Sequence, residues 1–256
     1  RAMQNNYQPY QGLYGCFKED CGDKMMYLKD SYKKEFETIV KEVNGDKAVL
    51  EDTIFYPEGG GQPSDDGKII KENEEFILIN VKKERGRIVH QLNKEGLKTN
   101  DKVKCVLNWE RRYKLMRSHT AAHILSAIFQ KETSALVTGN QISLDKIRID
   151  FDLKELNKDK IKEYIKKANQ EIKRNLDVSD YEMKREDVEK NSGLVKLAMG
   201  LPHAIKILRI VKIGDIDEQP DAGTHVKNTS EIGEIEFIDS ETRGKNNKRI
   251  YARLKW

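Results

Sequence analysis

The chain has 256 residues, of which 37% are hydrophobic and 35% are charged, with a formal net charge of +4. This composition is typical of a globular protein with room for two cores, and it excludes a largely disordered chain. No segment approaches the roughly 20 apolar residues of a membrane span, and the N-terminus lacks the apolar core of a signal peptide. We therefore expect a cytoplasmic protein without membrane contact, in which the three cysteines, Cys16, Cys21 and Cys105, are reduced.

From about residue 24 to residue 107, the chain has the pattern of short β-strands. Residues 35–42 alternate, residues 48–56 are rich in β-branched and aromatic side chains, and the Asn44-Gly45-Asp46 turn between them predicts a hairpin. Further strands are predicted at residues 68–70, 76–82, 87–92 and 102–107. Many short strands with frequent turns predict a small β-barrel.

The hydrophobic period changes near Asn108, where a helical pattern replaces the strands. Asn108 is predicted to cap a helix that runs to about Lys131. A second helix is predicted over residues 161–176, because apolar residues recur at helical spacing between lysines and glutamates. Strands are predicted at residues 178–184, 204–213, 234–238 and 249–254, with a short helix around residues 194–199.

The whole pattern predicts an α+β protein with two domains. Residues 1–110 are predicted to form an N-terminal small β-barrel domain. Residues 111–256 are predicted to form an α/β domain with a mixed sheet and long helices, and they hold the excess of basic residues. Clustered positive charge is what a phosphate-bearing partner requires, although lysine-rich surfaces also occur for solubility.

Two histidines, His119 and His123, lie four residues apart on the first predicted helix. Residues at this spacing share a helix face, with Cβ atoms about 5 to 6 Å apart, which suits two ligands of one zinc ion. The spacing fits two histidines packed against a neighbouring element equally well. Thr120 stands where a zincin protease carries its catalytic glutamate, which argues against a protease.

A second group of potential ligands lies in a loop near residue 220. Pro220 and Gly223 bend this loop, so Asp221 and His225 can point at a common place without the constraint of a helix. Zinc accepts both imidazole and carboxylate ligands. The two groups together therefore offer four potential metal ligands.

The helical pair of His119 and His123, followed by Gly-Thr-His-Val at residues 223–226, resembles the editing domain of alanyl-tRNA synthetases and of their freestanding AlaX relatives. It is also similar to the editing domain of threonyl-tRNA synthetases. The likeness includes Arg-Ile-Asp-Phe at residues 148–151, so it covers most of the second domain. In the barrel, residues 52–63 resemble the glycine-rich motif of the medium-length AlaX proteins.

This resemblance implies a trans-editing hydrolase, an aminoacyl-tRNA deacylase that depends on Zn²⁺ and uses no nucleotide cofactor. Its partner would be the acceptor end of tRNA(Ala) wrongly charged with serine or glycine. Carried over by position, the metal ligands are His119, His123 and His225. Asp221 stands where many family members have cysteine. It is therefore a candidate for one of three roles: a metal ligand, a group that hydrogen-bonds to a ligand without contacting the metal, or a catalytic base. A site that has lost its affinity for metal is the remaining alternative.

Candidate residues for catalysis and substrate binding lie beside the predicted ligands and in the glycine-rich motif. Thr120 is the candidate for recognising the serine hydroxyl, and its alternative is a helix residue bonded to the preceding turn. The other candidates are predicted to bind substrate; they are Gly59, Gly60, Gly61, Gln62 and Thr224. Small residues let backbone N–H groups approach a ligand closely, but a glycine triplet also forms a purely structural turn.

A basic run at residues 243–249 is a candidate contact for the acceptor stem, with a solvated hairpin tip as the alternative. Tyr251 and Trp256 are interpreted as packing residues, and His90 and His203 as structural histidines. Two other classes of protein stay open: a non-catalytic RNA-binding module with a structural or lost metal site, and a zinc hydrolase of small esters. The sequence also does not decide whether serine or glycine is the amino acid removed, nor does it indicate the oligomeric state.

Overall fold

The structure is a computed structural model that describes residues 24–155, 157–191, 193–194, 196 and 205–255. The first part contains β1 (Lys24–Met25), α1 (Met26–Lys29), β2 (Glu35–Asn44), β3 (Lys47–Leu50), β4 (Asp52–Thr53), β5 (Gly67–Lys71), β6 (Glu74–Glu84), β7 (Arg87–Leu92) and β8 (Lys102–Leu107). The second part contains α2 (Trp109–Thr133), β9 (Val137–Ile142), β10 (Ile147–Phe151), α3 (Lys158–Ile172), β11 (Val178–Lys184), α4 (Arg185–Lys190), β12 (Ile207–Ile213), β13 (Asp217–Pro220), β14 (Glu234–Thr242) and β15 (Lys248–Lys255). The predicted α+β class is confirmed.

Six strands close the barrel in the order β2-β3-β7-β6-β5-β8, and each neighbouring pair is antiparallel. Every second side chain of a strand points into the barrel. In β7, for example, Ile88, His90 and Leu92 are buried and the residues between them are half-buried. The predicted small barrel is therefore confirmed, with a packed interior that includes the free thiol of Cys105.

The predicted strand over residues 48–56 is interrupted. Strand β3 ends at Leu50, and β4 pairs in parallel with β1 outside the barrel. The chain then leaves the barrel wall as a loop at residues 54–66, which carries the glycine triplet. The carbonyl of Gly61 accepts a hydrogen bond from the N–H of Ile142 at 2.7 Å, so this loop contacts the second part of the molecule.

The second part is built on antiparallel sheets. The strands of the larger sheet lie in the order β14-β15-β10-β9, and helices α2 and α3 cover one of its faces. The smaller sheet has the order β11-β12-β13, and β13 lies against α2. No helix among the described residues is both long and apolar enough to cross a lipid bilayer. The predicted boundary between residues 110 and 111 stays a prediction.

Helix α2 begins as predicted, because the side chain of Asn108 accepts a hydrogen bond from the N–H of Arg111 at 3.3 Å. It ends at Thr133, where Ser134 takes the left-handed conformation with φ 59°. Most of the helix surface is buried from Leu115 onwards, which explains why its sequence has no clear polar face.

Helix α3 has the predicted amphipathic pattern and ends at Ile172, before the predicted residue 176. Asn175 adopts a left-handed backbone with φ 56°, and the N–H of Leu176 donates to Thr229 Oγ1 at 2.9 Å. These two features turn the chain from the helix into β11.

Several elements do not follow from the sequence pattern, namely β9, β10, β13 and α4. Strand β9 contains Gly139 and Asn140, two residue types that are depleted in strands. Gly139 lies opposite Asp150, whose Oδ2 would be 3.4 Å from an added Cβ. The predicted short helix at residues 194–199 falls mainly outside the described residues, as do Cys16 and Cys21.

A buried ion pair joins the barrel loop to helix α2. The Arg112 guanidinium donates through Nε to both carboxylate oxygens of Asp65 at 3.0 Å, and both side chains are almost completely buried. Arg112 also donates to the carbonyls of Ser31 at 2.9 Å and Ile54 at 2.6 Å. This pair fixes the loop that carries the glycine triplet against the helix that carries the two histidines.

Candidate metal centre

Helix α2 and the loop after β13 bring the four predicted ligands together. His119 and His123 lie on one buried face of α2, as residues four apart on a helix do. Asp221 and His225 lie in the loop that follows β13, and both are buried. One ligand atom from each of the four residues lies within 4.8 Å of all the others. The sequence-distant groups thus meet at one place.

The Nδ1 atoms of the two helical histidines have protein acceptors. His119 Nδ1 donates to Gln62 Oε1 at 2.9 Å, and His123 Nδ1 donates to Asp217 Oδ2 at 2.8 Å. A proton on Nδ1 leaves the lone pair on Nε2. In its neutral form each ring therefore presents a metal-binding lone pair from its other nitrogen, and on His123 a bound cation would replace the second proton.

The third ring has the same orientation through Thr120. The hydroxyl of Thr120 donates to the carbonyl of Met116 at 3.0 Å, so its oxygen accepts from His225 Nδ1 at 3.2 Å. The N–H of Val226 also donates to this oxygen, at 3.3 Å. Thr120 is thus beside the cluster and has three protein partners.

The Nε2 atoms of the three rings all face the carboxylate of Asp221. Its Oδ1 lies 3.5 Å from His119 Nε2 and 3.7 Å from His123 Nε2, and its Oδ2 lies 3.0 Å from His225 Nε2. Ligands of a tetrahedral zinc ion with bonds of about 2.0 to 2.1 Å are about 3.4 Å apart. The donor set and its spacing therefore fit a metal ion.

Burial and the neighbouring charges set the protonation of the cluster. Burial lowers the pKa of His225 to about 4 and holds that of His119 well below its usual value. Burial acts in the same direction on His123, but hydrogen bonds to Asp217 and Asp221 outweigh it and raise its pKa to about 9. The pKa of Asp221 is held well below its usual value, because the nearby imidazoles outweigh the effect of burial. The carboxylate is therefore anionic, and the cluster favours a positive charge beside it.

The loop from Asp221 to His225 is fixed by close contacts. A Cβ on Gly223 would lie 2.0 Å from Cε1 of His119, so only glycine fits at this position. The N–H of Gly223 donates to Asp221 Oδ2 at 2.5 Å. Arg209 donates to the carbonyls of Asp221 at 3.3 Å and Gly223 at 3.1 Å. The Gly223 N–H therefore orients the Asp221 carboxylate, and Arg209 holds the backbone of the loop in place.

The glycine-rich loop of the barrel reaches this cluster through Gln62. Gly59 and Gln62 pair across a tight turn, in which Gly60 and Gly61 have positive φ angles of 59° and 81°. Gln62 donates to Thr224 Oγ1 at 2.9 Å, and its Oε1 accepts from the N–H of Thr224 at 3.2 Å as well as from His119. The turn and Thr224 are thus beside the cluster, and their role in substrate binding stays a prediction.

The other residues that the sequence analysis considered do not belong to this cluster among the described residues. Arg243 and Arg249, from the basic run, pair with Glu241 and Asp150 respectively. His90 lies in the barrel core between Thr53 Oγ1 at 2.8 Å and the carbonyl of Ala48 at 3.2 Å, in agreement with its structural interpretation. His203 and Trp256 lie outside the described residues.

Two residues of the site do not follow from the sequence interpretation: Asp217 and Arg209. Asp217 lies on β13, four residues before Asp221, and its carboxylate is fully buried. One sequence signal could have indicated Asp217. It lies two residues before Gln219, on the same side of a short strand that leads into the ligand loop.

Together, the fold and the cluster define a class of protein in which a β-barrel packs on an α+β part that holds a buried candidate metal centre. Family models match both ends of this arrangement. Residues 4–111 match class II (A) tRNA synthetases, and residues 208–251 match the second additional domain of threonyl- and alanyl-tRNA synthetases.

Curated relatives match nearly the whole chain. The alanyl-tRNA editing protein AlaX-M of Methanosarcina barkeri is 44% identical over 237 residues, which are 90% of this chain and 98% of the relative. That of Saccharolobus solfataricus is 43% identical over 233 residues, with the same two shares of 90% and 98%. An alanine–tRNA ligase of Saccharolobus islandicus is 37% identical over 223 residues, which are 84% of this chain and 25% of the ligase. The chain belongs to the AlaX-M family of alanyl-tRNA editing proteins.

Proposed function

We propose that the protein is a trans-editing deacylase that hydrolyses the ester bond of tRNA(Ala) charged with serine or glycine. The observation that carries this proposal is the convergence of three imidazole Nε2 atoms and an anionic carboxylate at one buried place. The names and the extent of the AlaX-M relatives support the editing of alanine-specific tRNA, without specifying the amino acid that is removed.

The proposed metal is Zn²⁺, held by Nε2 of His119, His123 and His225 and by the carboxylate of Asp221. Nitrogen and oxygen ligands in this number are typical of zinc. Zinc, when bound, supplies Lewis acidity towards the ester carbonyl and the attacking water.

The protein's own residues would orient and deprotonate the nucleophile. Asp221 has an alternative role to that of fourth ligand: with the three histidines holding the metal, its carboxylate, fixed by the Gly223 N–H, would accept the proton of an attacking water. Water adds to the ester carbonyl carbon, and the bond to the ribose oxygen breaks as that oxygen gains a proton. Free amino acid and an uncharged RNA end are the products.

Discrimination between serine and alanine requires a polar contact with the serine hydroxyl. A binding difference from one small group in an apolar pocket is worth about 1 to 3 kcal/mol, whereas a hydrogen bond left unmade rejects the wrong substrate more strongly. Thr120 remains our candidate for this contact. Its proton goes to the Met116 carbonyl and its two lone pairs accept from His225 Nδ1 and the Val226 N–H, so recognition requires one of these three bonds to be exchanged for a bond to serine.

A deacylation assay with seryl, glycyl and alanyl forms of the same tRNA(Ala) tests the proposal. We expect hydrolysis of the seryl or glycyl form, little hydrolysis of the alanyl form, and loss of activity in H119A. A preference for the alanyl form contradicts proofreading. RNA binding without hydrolysis would favour a non-catalytic module, and equal hydrolysis of an aminoacyl ester of a small alcohol would favour a general esterase.

A further inference from the structure

Behind the four candidate ligands lies another carboxylate, Asp217, with no exposed side-chain surface. Its Oδ2 accepts from His123 Nδ1 at 2.8 Å and from Gln219 Nε2 at 2.9 Å, and its Oδ1 contacts the ammonium group of Lys196. Burying a carboxylate costs several kcal/mol unless donors surround it. Three donors meet at Asp217, so the network is satisfied in the folded protein.

The strand register explains how one short element serves both sides of His123. Residues two apart in a strand point to the same side, so Asp217 and Gln219 both face helix α2 from β13. The strand then leads directly into Asp221. As a result, the Asp217 carboxylate lies at His123 Nδ1, while the Asp221 carboxylate lies 3.7 Å from His123 Nε2.

The partners of the three rings differ in charge. The Nδ1 of His119 faces the neutral amide of Gln62, and that of His225 faces the neutral hydroxyl of Thr120. Among the described residues, only His123 of these three rings donates to a carboxylate through Nδ1. A carboxylate acceptor fixes the tautomer and makes the other ring nitrogen a stronger donor to a cation.

We infer that Asp217 is a positioning residue, which holds the His123 ring with Nε2 directed into the cluster and strengthens its binding of a divalent cation. Lys196 balances the charge of Asp217 and fixes its orientation. This inference rests on the proposed metal-dependent function, but it concerns metal affinity rather than hydrolysis itself.

The test measures the affinity for Zn²⁺ by competition with a fluorescent chelator in the full-length wild type, D217N and D215N. Asparagine keeps the size of the side chain and an oxygen acceptor but removes the charge. Loss of such outer partners lowers metal affinity about 10- to 100-fold, and we expect a loss in this range for D217N. Asp215 is exposed and pairs with Arg174, so D215N should bind zinc like the wild type.

Two further readouts separate positioning from general damage to the fold. The visible spectrum of the Co²⁺-loaded protein should change in D217N, while the KM for charged RNA should remain within about twofold and kcat should fall. Wild-type zinc affinity and an unchanged cobalt spectrum in D217N would overturn the inference. If D217N does not fold, D217E takes its place: the charge is kept but the longer side chain moves the carboxylate from its position at His123 Nδ1, so weaker zinc binding is expected and unchanged binding overturns the inference.

Parallel deacylation assays distinguish this inference from the proposed function. If the wild type binds zinc but does not hydrolyse any charged form, the proposed function fails, and the affinity of D217N still tests Asp217. If the wild type is active and D217N binds zinc equally well, only the role of Asp217 fails.

Discussion

Replacing Arg112 with leucine tests the joint between the barrel loop and helix α2. The variant leaves the buried carboxylate of Asp65 without its cation, and it removes a donor from each of the Ser31 and Ile54 carbonyls. The N–H of Tyr56, at 2.6 Å, remains as a donor to Asp65. Breaking a buried ion pair by removing one partner costs about 3 to 5 kcal/mol in the free energy of unfolding.

Urea-induced unfolding followed by tryptophan fluorescence measures this cost. The double variant R112L/D65L should regain part of the loss, because no charge then stays buried without a partner. R111L is the matched control: Arg111 lies 3.6 Å from Asp66 and donates to the Ser64 carbonyl, but its side chain is partly exposed and leaves no buried charge behind, so its loss should cost about 1 to 2 kcal/mol. A cost for R112L equal to that of R111L, or a double variant less stable than R112L, would show that this buried pair does not hold the loop against α2.

Three other variants test single contacts of the site and of the barrel. G223A should lose zinc binding in a chelator titration, because the new Cβ would lie 2.0 Å from the His119 ring. T120V removes the acceptor of His225 Nδ1, so it should weaken zinc binding, and it should also reduce the preference for seryl over alanyl RNA in a deacylation assay. For His90, burial lowers the pKa to about 4, so between pH 6.5 and 4 the unfolded chain binds a proton that the folded chain does not. Stability should therefore fall by about 2 kcal/mol more in the wild type than in H90N on going from pH 7.5 to 4.5, as measured by urea unfolding at both values.

Local patterns in the sequence were enough for the barrel, the main helices and the four candidate ligands. The alternation within short strands specifies the barrel, and the spacing of His119 and His123 specifies a shared helix face. The bend made by Pro220 and Gly223 directs Asp221 to the same place. Each of these features acts over a few residues, which is why sequence patterns contain it.

The partners that orient the rings depend on contacts between distant segments. Gln62 contacts His119 from the barrel loop, and Asp217 contacts His123 from strand β13 of the smaller sheet. No periodic pattern in the sequence indicates either contact. Strand β9 was missed for a related reason, because Gly139 serves the packing of Asp150 rather than strand propensity.

The Gln62 contact also gives the barrel a physical role at the site. Its amide bonds both His119 and Thr224, so the barrel loop supports a helix and a ligand loop that are far from it in sequence. The buried pair of Arg112 and Asp65 holds this loop in place. We therefore expect the metal centre to depend on the packing of the barrel against α2.

In the proposed site, His119, His123, His225 and Asp221 close around one cation that hydrolysis requires. The most direct measurement combines elemental analysis of the purified protein with deacylation before and after chelation. We expect about one zinc ion per chain, loss of activity when the metal is removed, and recovery when Zn²⁺ is restored. Full activity in metal-free protein would contradict it.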